Sequence, residues 1–281
     1  MSFRVILKEP GLPSYAQMMA DYHQAFALEL KDVVGSLAIK KGERVVDLAC
    51  GDGFYSRWLA EEVGAEGGVL ALDVSGDFLA EARRYVGAAE VGARVAFVQA
   101  DLDHLALDEG EADVVWCAQS LYSLPDPVDA VRRMRRLAKP GGRVAVFESD
   151  EFHHLILPWP IELEIAMRQA ELKSYRAQSG DGEKFYVGRN LPGVFREAGL
   201  PDCRIQSFAF HRQTPIDDAS RAYLVAYLDD MRRRIVHHLD DPNRDLFESL
   251  TDPGSSRFLL SDQDFGFTCL EHLATAKCPA H

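Results

Sequence analysis

Three acids and two glycines between residues 47 and 101 have the types and spacing to grip a nucleoside. Asp47 lies in a short apolar run, Val45, Val46 and Leu48, and Gly51 and Gly53 follow at once. Glycine lacks a Cβ, so a chain that turns there brings its backbone close to a bound molecule. Asp73 closes a second apolar run, Val69–Leu72, 20 residues beyond Gly53. A carboxylate at such a strand end accepts hydrogen bonds from both hydroxyls of a ribose. Its alternative role, shared with Ser75 and Asp77, is to start the helix at Gly76. Asp101 follows a third run, Arg94–Gln99. There it can accept an adenine amine with Leu102 against the ring, or act as a simple loop or capping residue.

A second group sits later in the chain. Tyr122 follows a fourth strand, Glu148, His153 and His154 follow a fifth, and His211 ends a sixth. A side chain of this kind at the strand ends can draw a proton from a phenol, hydroxyl or acidic carbon. The sequence points to His153 or His154 as that base and to Tyr122 as a pocket wall. The alternative is that both histidines are loop and core residues beside Leu155–Pro160. Neither His153-His154 nor His237-His238 has metal-ligand partners at standard spacing, so no metal site is expected.

These residues need a scaffold that brings strand ends together. Strands at 45–48, 69–73, 94–99, 112–117 and 143–148 alternate with helices. Pro127 opens one of these, and the turn Lys139-Pro140-Gly141-Gly142 follows it. Five such units imply a parallel sheet covered by helices on both faces, with right-handed crossovers. Ahead of them the spacing of Tyr15, Met18, Tyr22, Phe26, Leu30, Val33 and Leu37 predicts one helix from Ser14, its N-cap, to about Leu37. That helix is either scaffold or a partial lid in which Tyr15 or Tyr22 touches the ligand.

Beyond Ser149 the alternation breaks. A loop and a helix to about Gln178 are followed by a helix from Gly188 that stops at Gly199. A strand at 203–211, polar helices at 217–238 and 244–250, and a last strand at 265–277 complete the chain. The expected organisation is therefore an N-terminal helix with the cofactor-binding half at 1–149 and a cap insertion at 150–188. The rest of the sheet spans 189–281, with a second helical insertion at about 212–264. Phe152, Leu155, Ile156, Trp159, Phe185 and Tyr186 of the cap either wall an apolar pocket for a small, partly hydrophobic or aromatic acceptor, methylated on O, N or C, or glue the cap to the core.

Composition narrows the partners. A formal charge of −13 disfavours nucleic acid and anionic membrane. Arg132–Arg136 and Arg232–Arg234 fall in helical patterns and read as solvated outer faces. Five cysteines without CxxC spacing read as reduced, buried thiols. No apolar run approaches the ~18 residues of a membrane span, and Met1–Pro10 has no secretory core, so a cytoplasmic location is expected. Monomer and homodimer both stay open.

Taken together, the sequence resembles a class I S-adenosylmethionine-dependent methyltransferase. The matching residues are Val46-Asp47-Leu48-Ala49-Cys50-Gly51-Asp52-Gly53, Asp73, Gln99-Ala100-Asp101, Leu124-Pro125-Asp126-Pro127 and Leu137-Ala138-Lys139-Pro140-Gly141-Gly142. The likeness covers about 45–149 well and extends weakly through 189–211 and 265–277. It is nearest to the small-molecule enzymes that include ubiquinone and menaquinone C-methyltransferases and many natural-product O- and N-methyltransferases.

The resemblance implies an α/β, Rossmann-like three-layer sandwich. Its seven-stranded, mostly parallel sheet would run in the order 3-2-1-4-5-7-6 with an inserted cap. It further implies S-adenosylmethionine as cofactor, S-adenosylhomocysteine as product and methyl transfer by direct displacement. Asp47, Ala49, Gly51, Gly53, Asp73, Val74, Asp101, Leu102 and Gln119 are then the cofactor contacts. Ala49 departs from the family, which often has glycine there. An NAD-dependent dehydrogenase shares the glycine turn and the acid, but the third glycine of its motif is absent from Gly51-Asp52-Gly53-Phe54-Tyr55-Ser56. A non-catalytic S-adenosylmethionine- or nucleotide-binding protein is the remaining alternative.

Overall fold

The structure, a computed structural model, describes residues 11–101, 110–179 and 183–280. Two short helices, α1 (Ala16–Ala25) and α2 (Ala27–Gly35), lead into β1 (Arg44–Leu48), α3 (Phe54–Val63), β2 (Gly68–Asp73), α4 (Gly76–Gly87) and β3 (Val95–Gln99). The chain continues through β4 (Ala112–Ala118), α5 (Pro127–Leu137), β5 (Ala138–Ser149), α6 (Ile161–Ser179) and α7 (Val187–Glu197). It ends with β6 (Arg204–Gln213), α8 (Asp218–Ile235), α9 (Asp241–Thr251) and β7 (Gly266–Lys277).

Among the described residues seven strands form one sheet, ordered 3-2-1-4-5-7-6. The pairs among β1 to β5 are parallel, whereas β7 runs antiparallel to both β5 and β6. That is the expected topology, and it places the carboxyl ends of the five parallel strands along one edge. Helices cover both faces, as a parallel sheet requires. One core gathers Val45, Trp116 and Phe147 of the sheet with α1, α2, α3, α6, α8 and α9. The other packs Val46, Val115 and Val144 against Met134 of α5 and Phe195 of α7.

The single helix expected over Ser14–Leu37 is two. The break falls at Phe26, whose φ of −118° and ψ of 22° leave the helical region. Phe26 is fully buried against Tyr22, Phe210, Tyr223 and Phe267. Arg212 stands over its ring, donates to the Ala25 carbonyl and pairs with Glu29. A cation on the last carbonyls of α1 satisfies groups that a continuous helix would have bonded internally. Ser14 does not cap α1; Tyr15 occupies the N-cap position and makes no side-chain capping bond. The Lys139–Gly142 turn is accommodated inside β5, where the pairing jumps from Ala112↔Ala138 to Val114↔Arg143.

The two segments that interrupt the sheet protein pack together. Tyr223, Leu224, Tyr227, Leu228, Met231 and Ile235 make one face of α8, at helical spacing. This face joins Leu163 and Met167 of α6, Phe247 of α9 and Tyr22 of α1 in the first core. Helices from residues 16–25, 161–179, 218–235 and 241–251 thus share one apolar core above the strand ends of β4 and β5.

Candidate active site

At the end of β1 the chain must turn into α3, and three residues of that turn have positive φ: Ala49 at 55°, Gly51 at 53° and Gly53 at 81°. A Cβ on Gly53 would lie 2.9 Å from the Ala82 Cβ of α4, so the turn is wedged where only glycine fits. At Gly51 an added Cβ would meet only Met19 Cε of α1, at 3.7 Å. Ala49 therefore holds a left-handed conformation with a Cβ present, which costs roughly 1–2 kcal/mol. What the position demands is backbone conformation, not small size.

Two carboxylates hold this turn. Asp47 lies beneath it, 1% exposed, and its Oδ2 accepts a 2.6 Å bond from the Ser56 hydroxyl of α3. Burial pushes its carboxyl up to about 7; the Ser56 bond opposes this, and the Asp73 and Asp52 charges add to it. Asp73 accepts from the Gly51 amide at 2.9 Å and from the Ser75 amide at 2.8 Å, one bond on each oxygen. Burial raises its carboxyl against the pull of those amides. Capping of α4 falls to Ser75, which accepts from the Phe78 amide, while Asp77 accepts from the Gly11 amide. Val74, beside Asp73, is largely exposed, and Asp101 is exposed just past β3; Leu102 lies outside the described residues.

Helix α1 runs over the turn. His23 stacks on Phe54 at 4.2 Å and its Nδ1 lies 3.4 Å from Asp52 Oδ2. Burial works to raise the Asp52 carboxyl, but His23 and the Phe54 amide outweigh it and hold it low. Tyr15, at the start of α1, is near enough to both Asp73 and Tyr122 for their charges to couple.

The ends of β4 and β5 form the next part of the edge. Gln119, with φ of 48°, donates its amide to the Phe147 carbonyl at 2.7 Å, and its side-chain oxygen accepts from the Tyr55 hydroxyl at 3.2 Å. Directly after it, the Ser120 and Leu121 amides both donate to Glu148 Oε1, at 3.0 and 2.6 Å. Burial drives the Glu148 carboxyl up to about 8 in spite of these bonds, with Glu151 and Glu271 adding to the rise. The half-buried Tyr122 ring meets Phe185 at 6.0 Å, and Phe185 stacks on Tyr175 of α6 at 4.2 Å. Burial raises the Tyr122 hydroxyl far above its ordinary value, so it stays protonated.

The molecule now has a glycine turn over two acids, and an aromatic wall one strand pair away. Residues 45–142 match a family model described as a methyltransferase domain. The chain is an S-adenosylmethionine-dependent methyltransferase with the class I, Rossmann-like fold. It is 27% identical over 189 residues to a demethylmenaquinone methyltransferase of Shouchella clausii, covering 63% of this chain and 79% of the relative. A ubiquinone/menaquinone biosynthesis C-methyltransferase of Idiomarina loihiensis is 34% identical over 110 residues, 39% of this chain and 44% of that one. In fold the chain is similar to a SAM dependent methyltransferase from Aquifex aeolicus. The TM-score is 0.52 at 20% identity, covering 70% of this chain and 90% of that one. The methyl donor is S-adenosylmethionine.

In the methyltransferase His153, His154 and His211 each have different partners. His154 is 7% exposed; its Nε2 shares a 3.0 Å hydrogen bond with the Tyr223 hydroxyl and its Nδ1 is 3.7 Å from Glu271 Oε1. Burial lowers it to about 4, so the ring is neutral. His153 is partly exposed and its Nδ1 lies 3.1 Å from Asp150 Oδ2. His211 is bonded to Thr268 on the far side of the sheet, 3.0 Å away. Of the apolar residues expected to build a cap, Phe152 and Ile156 are exposed, and the guanidiniums of Arg168 and Arg189 both lie near the Phe152 ring. Trp159 is buried beside Phe247.

Several groups of the methyltransferase were not singled out from the sequence. Glu271 is fully buried in β7, and burial pushes its carboxyl up to about 8. It shares the inward face of its strand with Phe267, Cys269 and Leu273, and that two-residue alternation was a readable signal. Glu151, Arg168 and Arg234 gave none. Arg234 is not a solvated outer residue: its side chain is 17% exposed and lies 5.5 Å over the Tyr175 ring. Among the described residues no group of three or more His, Cys, Asp or Glu is arranged to hold a metal, and no helix is long and apolar enough to cross a membrane.

Proposed function

We propose that the methyltransferase transfers the methyl group of S-adenosylmethionine to a small aromatic acceptor of quinone type. The observation that carries this is the wall Tyr122–Phe185–Tyr175 beside the carboxyl ends of β4 and β5, next to the glycine turn. Relatives described as demethylmenaquinone and ubiquinone/menaquinone methyltransferases support the choice. Direct displacement needs the acceptor aligned with the methyl–sulfur axis and water kept out, and a row of aromatic rings favours both.

The residues present suit the donor. Asp73 keeps a lone pair on each oxygen after its two amide bonds, enough for two ribose hydroxyls. Three acids, Asp47, Asp52 and Asp73, crowd the turn, an environment that favours a sulfonium and an amino group. A dinucleotide pyrophosphate would meet those same charges as repulsion. On this reading Gly51, Gly53 and Ala49 supply the backbone against the methionine end, with Asp47 beneath holding the turn. Asp73 takes the ribose, Val74 and Asp101 flank the adenine, and Gln119 closes the far side.

Residues 1–149 then form the cofactor half, 150–188 and 212–264 the cap, and the remainder the end of the sheet. The acceptor is a free small molecule, nucleic acid is not a substrate, and the protein works in the cytoplasm. Calorimetry with S-adenosylmethionine, S-adenosylhomocysteine and NAD tests the donor half. Tight S-adenosyl binding without NAD binding is expected, and the reverse would refute it. Transfer of labelled methyl to 1,4-naphthalenediols tests the acceptor half.

A further inference from the structure

Five carboxyls gather where β5 meets the cap: Glu148, Asp150, Glu151, Glu171 and Glu271. Four are spoken for. Both oxygens of Glu271 accept hydroxyl bonds, from Tyr22 at 2.9 Å and Ser149 at 2.8 Å. Glu148 takes two amides and is 2% exposed. Asp150 faces His153, Arg189 and His272. Glu171 is clasped by Arg168 at 2.9 Å. Glu151 alone among them keeps accessible surface together with a light set of bonds, in which the Tyr175 hydroxyl donates to it. It also lies close enough to Tyr122 to act on that phenol.

Two buried nitrogens facing the same region have no hydrogen-bond partner among the described residues: Arg234 Nη1, over the Tyr175 ring, and His154 Nδ1, whose side chain is 9% exposed. An unmet guanidinium donor inside a fold is costly, and an oxygen of a bound molecule would meet it. The Glu151 carboxyl, the Tyr175 ring and the orphaned Arg234 guanidinium are therefore neighbours, with Tyr122 close by.

We propose that Glu151 is the general base of the transfer, taking the hydroxyl proton of a phenol or hydroquinone held against Tyr122 and Tyr175, with Arg234 Nη1 donating to the oxygen that becomes anionic. The assignment rests on the methyl-transfer reading given above. The acceptor O–H bond breaks toward the Glu151 carboxylate. The electron pair released, on the oxygen or on its conjugated ring carbon, forms the new bond to the methyl group. The carbon–sulfur bond breaks, its pair stays on sulfur, and the product is a neutral thioether. If carbon is methylated, the ring proton leaves and the oxygen is reprotonated. One proton is released in either case, passing from Glu151 to solvent.

The charges around Glu151 suit the task. From α6 it faces Arg168, Glu171 and Tyr175, and from α8 Tyr223, Tyr227 and Arg234. Glu148 and Asp150 act from the β5 end, Glu271 from β7, Tyr122 from the turn after β4, and Tyr186 from the turn before α7. Burial raises its carboxyl and the two arginines pull it back, leaving it at about 7. A base with that value is half ionised near neutrality.

The test uses the whole chain, labelled S-adenosylmethionine and a panel of 1,4-naphthalenediols, catechols, phenols and aromatic amines across pH 5.5–9. The wild-type rate on a hydroxyl acceptor should rise tenfold per pH unit and level off above about 7. Glu151→Gln should lose at least about 100-fold in kcat and the rising limb with it. Glu151→Asp should restore part of the rate, and calorimetric affinity for S-adenosylmethionine should be unchanged in both. Full turnover by Glu151→Gln with the limb intact overturns the assignment. So does a wild-type chain that binds S-adenosylmethionine yet methylates only amines, or no member of the panel. Failure of the wild-type chain to bind S-adenosylmethionine would instead strike the methyl-transfer reading beneath it.

Discussion

The Tyr22 hydroxyl donates a 2.9 Å hydrogen bond to Glu271 Oε1 although 249 positions separate the two in the chain. Tyr22 belongs to α1 and Glu271 to β7, so the bond fastens the first helix to the middle of the last strand. Ser149, at the end of β5, fills the other carboxyl oxygen. Helix α1 is thereby a fixed wall over the glycine turn, with Tyr15 reaching toward Asp73 and Tyr122. Replacing Tyr22 by Phe leaves a buried carboxyl short of a donor, a loss of roughly 1–3 kcal/mol. Urea unfolding should show that loss, and amide exchange in α1 should quicken. An unchanged midpoint would mean that the bond contributes nothing.

Stability should fall as pH rises through the neutral range. Asp47 is held at about 7, and Glu148 and Glu271 at about 8, all by burial and all above the ordinary carboxyl range. A group raised in the folded state is fully stabilising below its unfolded pKa and loses that contribution as pH climbs through the folded value. Between pH 5 and 8 each such group contributes a slope of up to about 1.4 kcal/mol per pH unit. Asp52 and Asp150, held low, work the other way only in acid. The melting temperature should therefore be higher at pH 6 than at pH 8.5, and Glu271→Gln should flatten the difference. A melting temperature that rises from pH 6 to 8.5 would contradict the burial argument.

Ala49 offers a substitution in the stabilising direction. Glycine removes the roughly 1–2 kcal/mol of left-handed strain but adds about 0.4–1 kcal/mol of unfolded-chain entropy. Ala49→Gly should gain about 0.5 kcal/mol net, whereas Ala49→Val, β-branched at positive φ, should lose more than about 1 kcal/mol. Denaturant midpoints distinguish these signs. A destabilised Ala49→Gly would show that the turn relaxes elsewhere.

Asp73 links the turn to the cofactor. Asp73→Ala should weaken S-adenosylmethionine binding by about 1.5–3 kcal/mol, the scale of hydrogen bonds to a charged group. Because the same carboxylate holds the Gly51 amide, part of the loss will come from the turn itself. Titration calorimetry at fixed salt reads it directly. Unchanged affinity would remove Asp73 from the ribose site.

Much of this was written in the chain. The apolar runs ending in Asp47, Asp73 and Gln99 are local signals, and parallel pairing follows from their alternation with helices. Strand order came from likeness to a family, since nothing local in 203–211 or 265–277 says that β7 inserts between β5 and β6. Periodicity overran the break at Phe26, because the cause is Arg212, nearly two hundred residues away. At Ala49, where the family often has glycine, the positive φ that the position demands is not visible in the sequence. The histidines drew attention as a chemically reactive pair. Yet one fold position buries His154 against Tyr223, and the next ties His153 to Asp150. Glu151 could not be chosen from sequence, for its environment comes from α6, α8 and the turn after β4 at once.

The most direct test of the central claim is transfer of a labelled methyl group from S-adenosylmethionine to a 1,4-naphthalenediol by the purified chain. Label is expected in the organic extract, with S-adenosylhomocysteine formed in equal amount and both strongly reduced in Asp73→Ala. No label in any aromatic hydroxyl compound, from a chain that binds the donor, would contradict it.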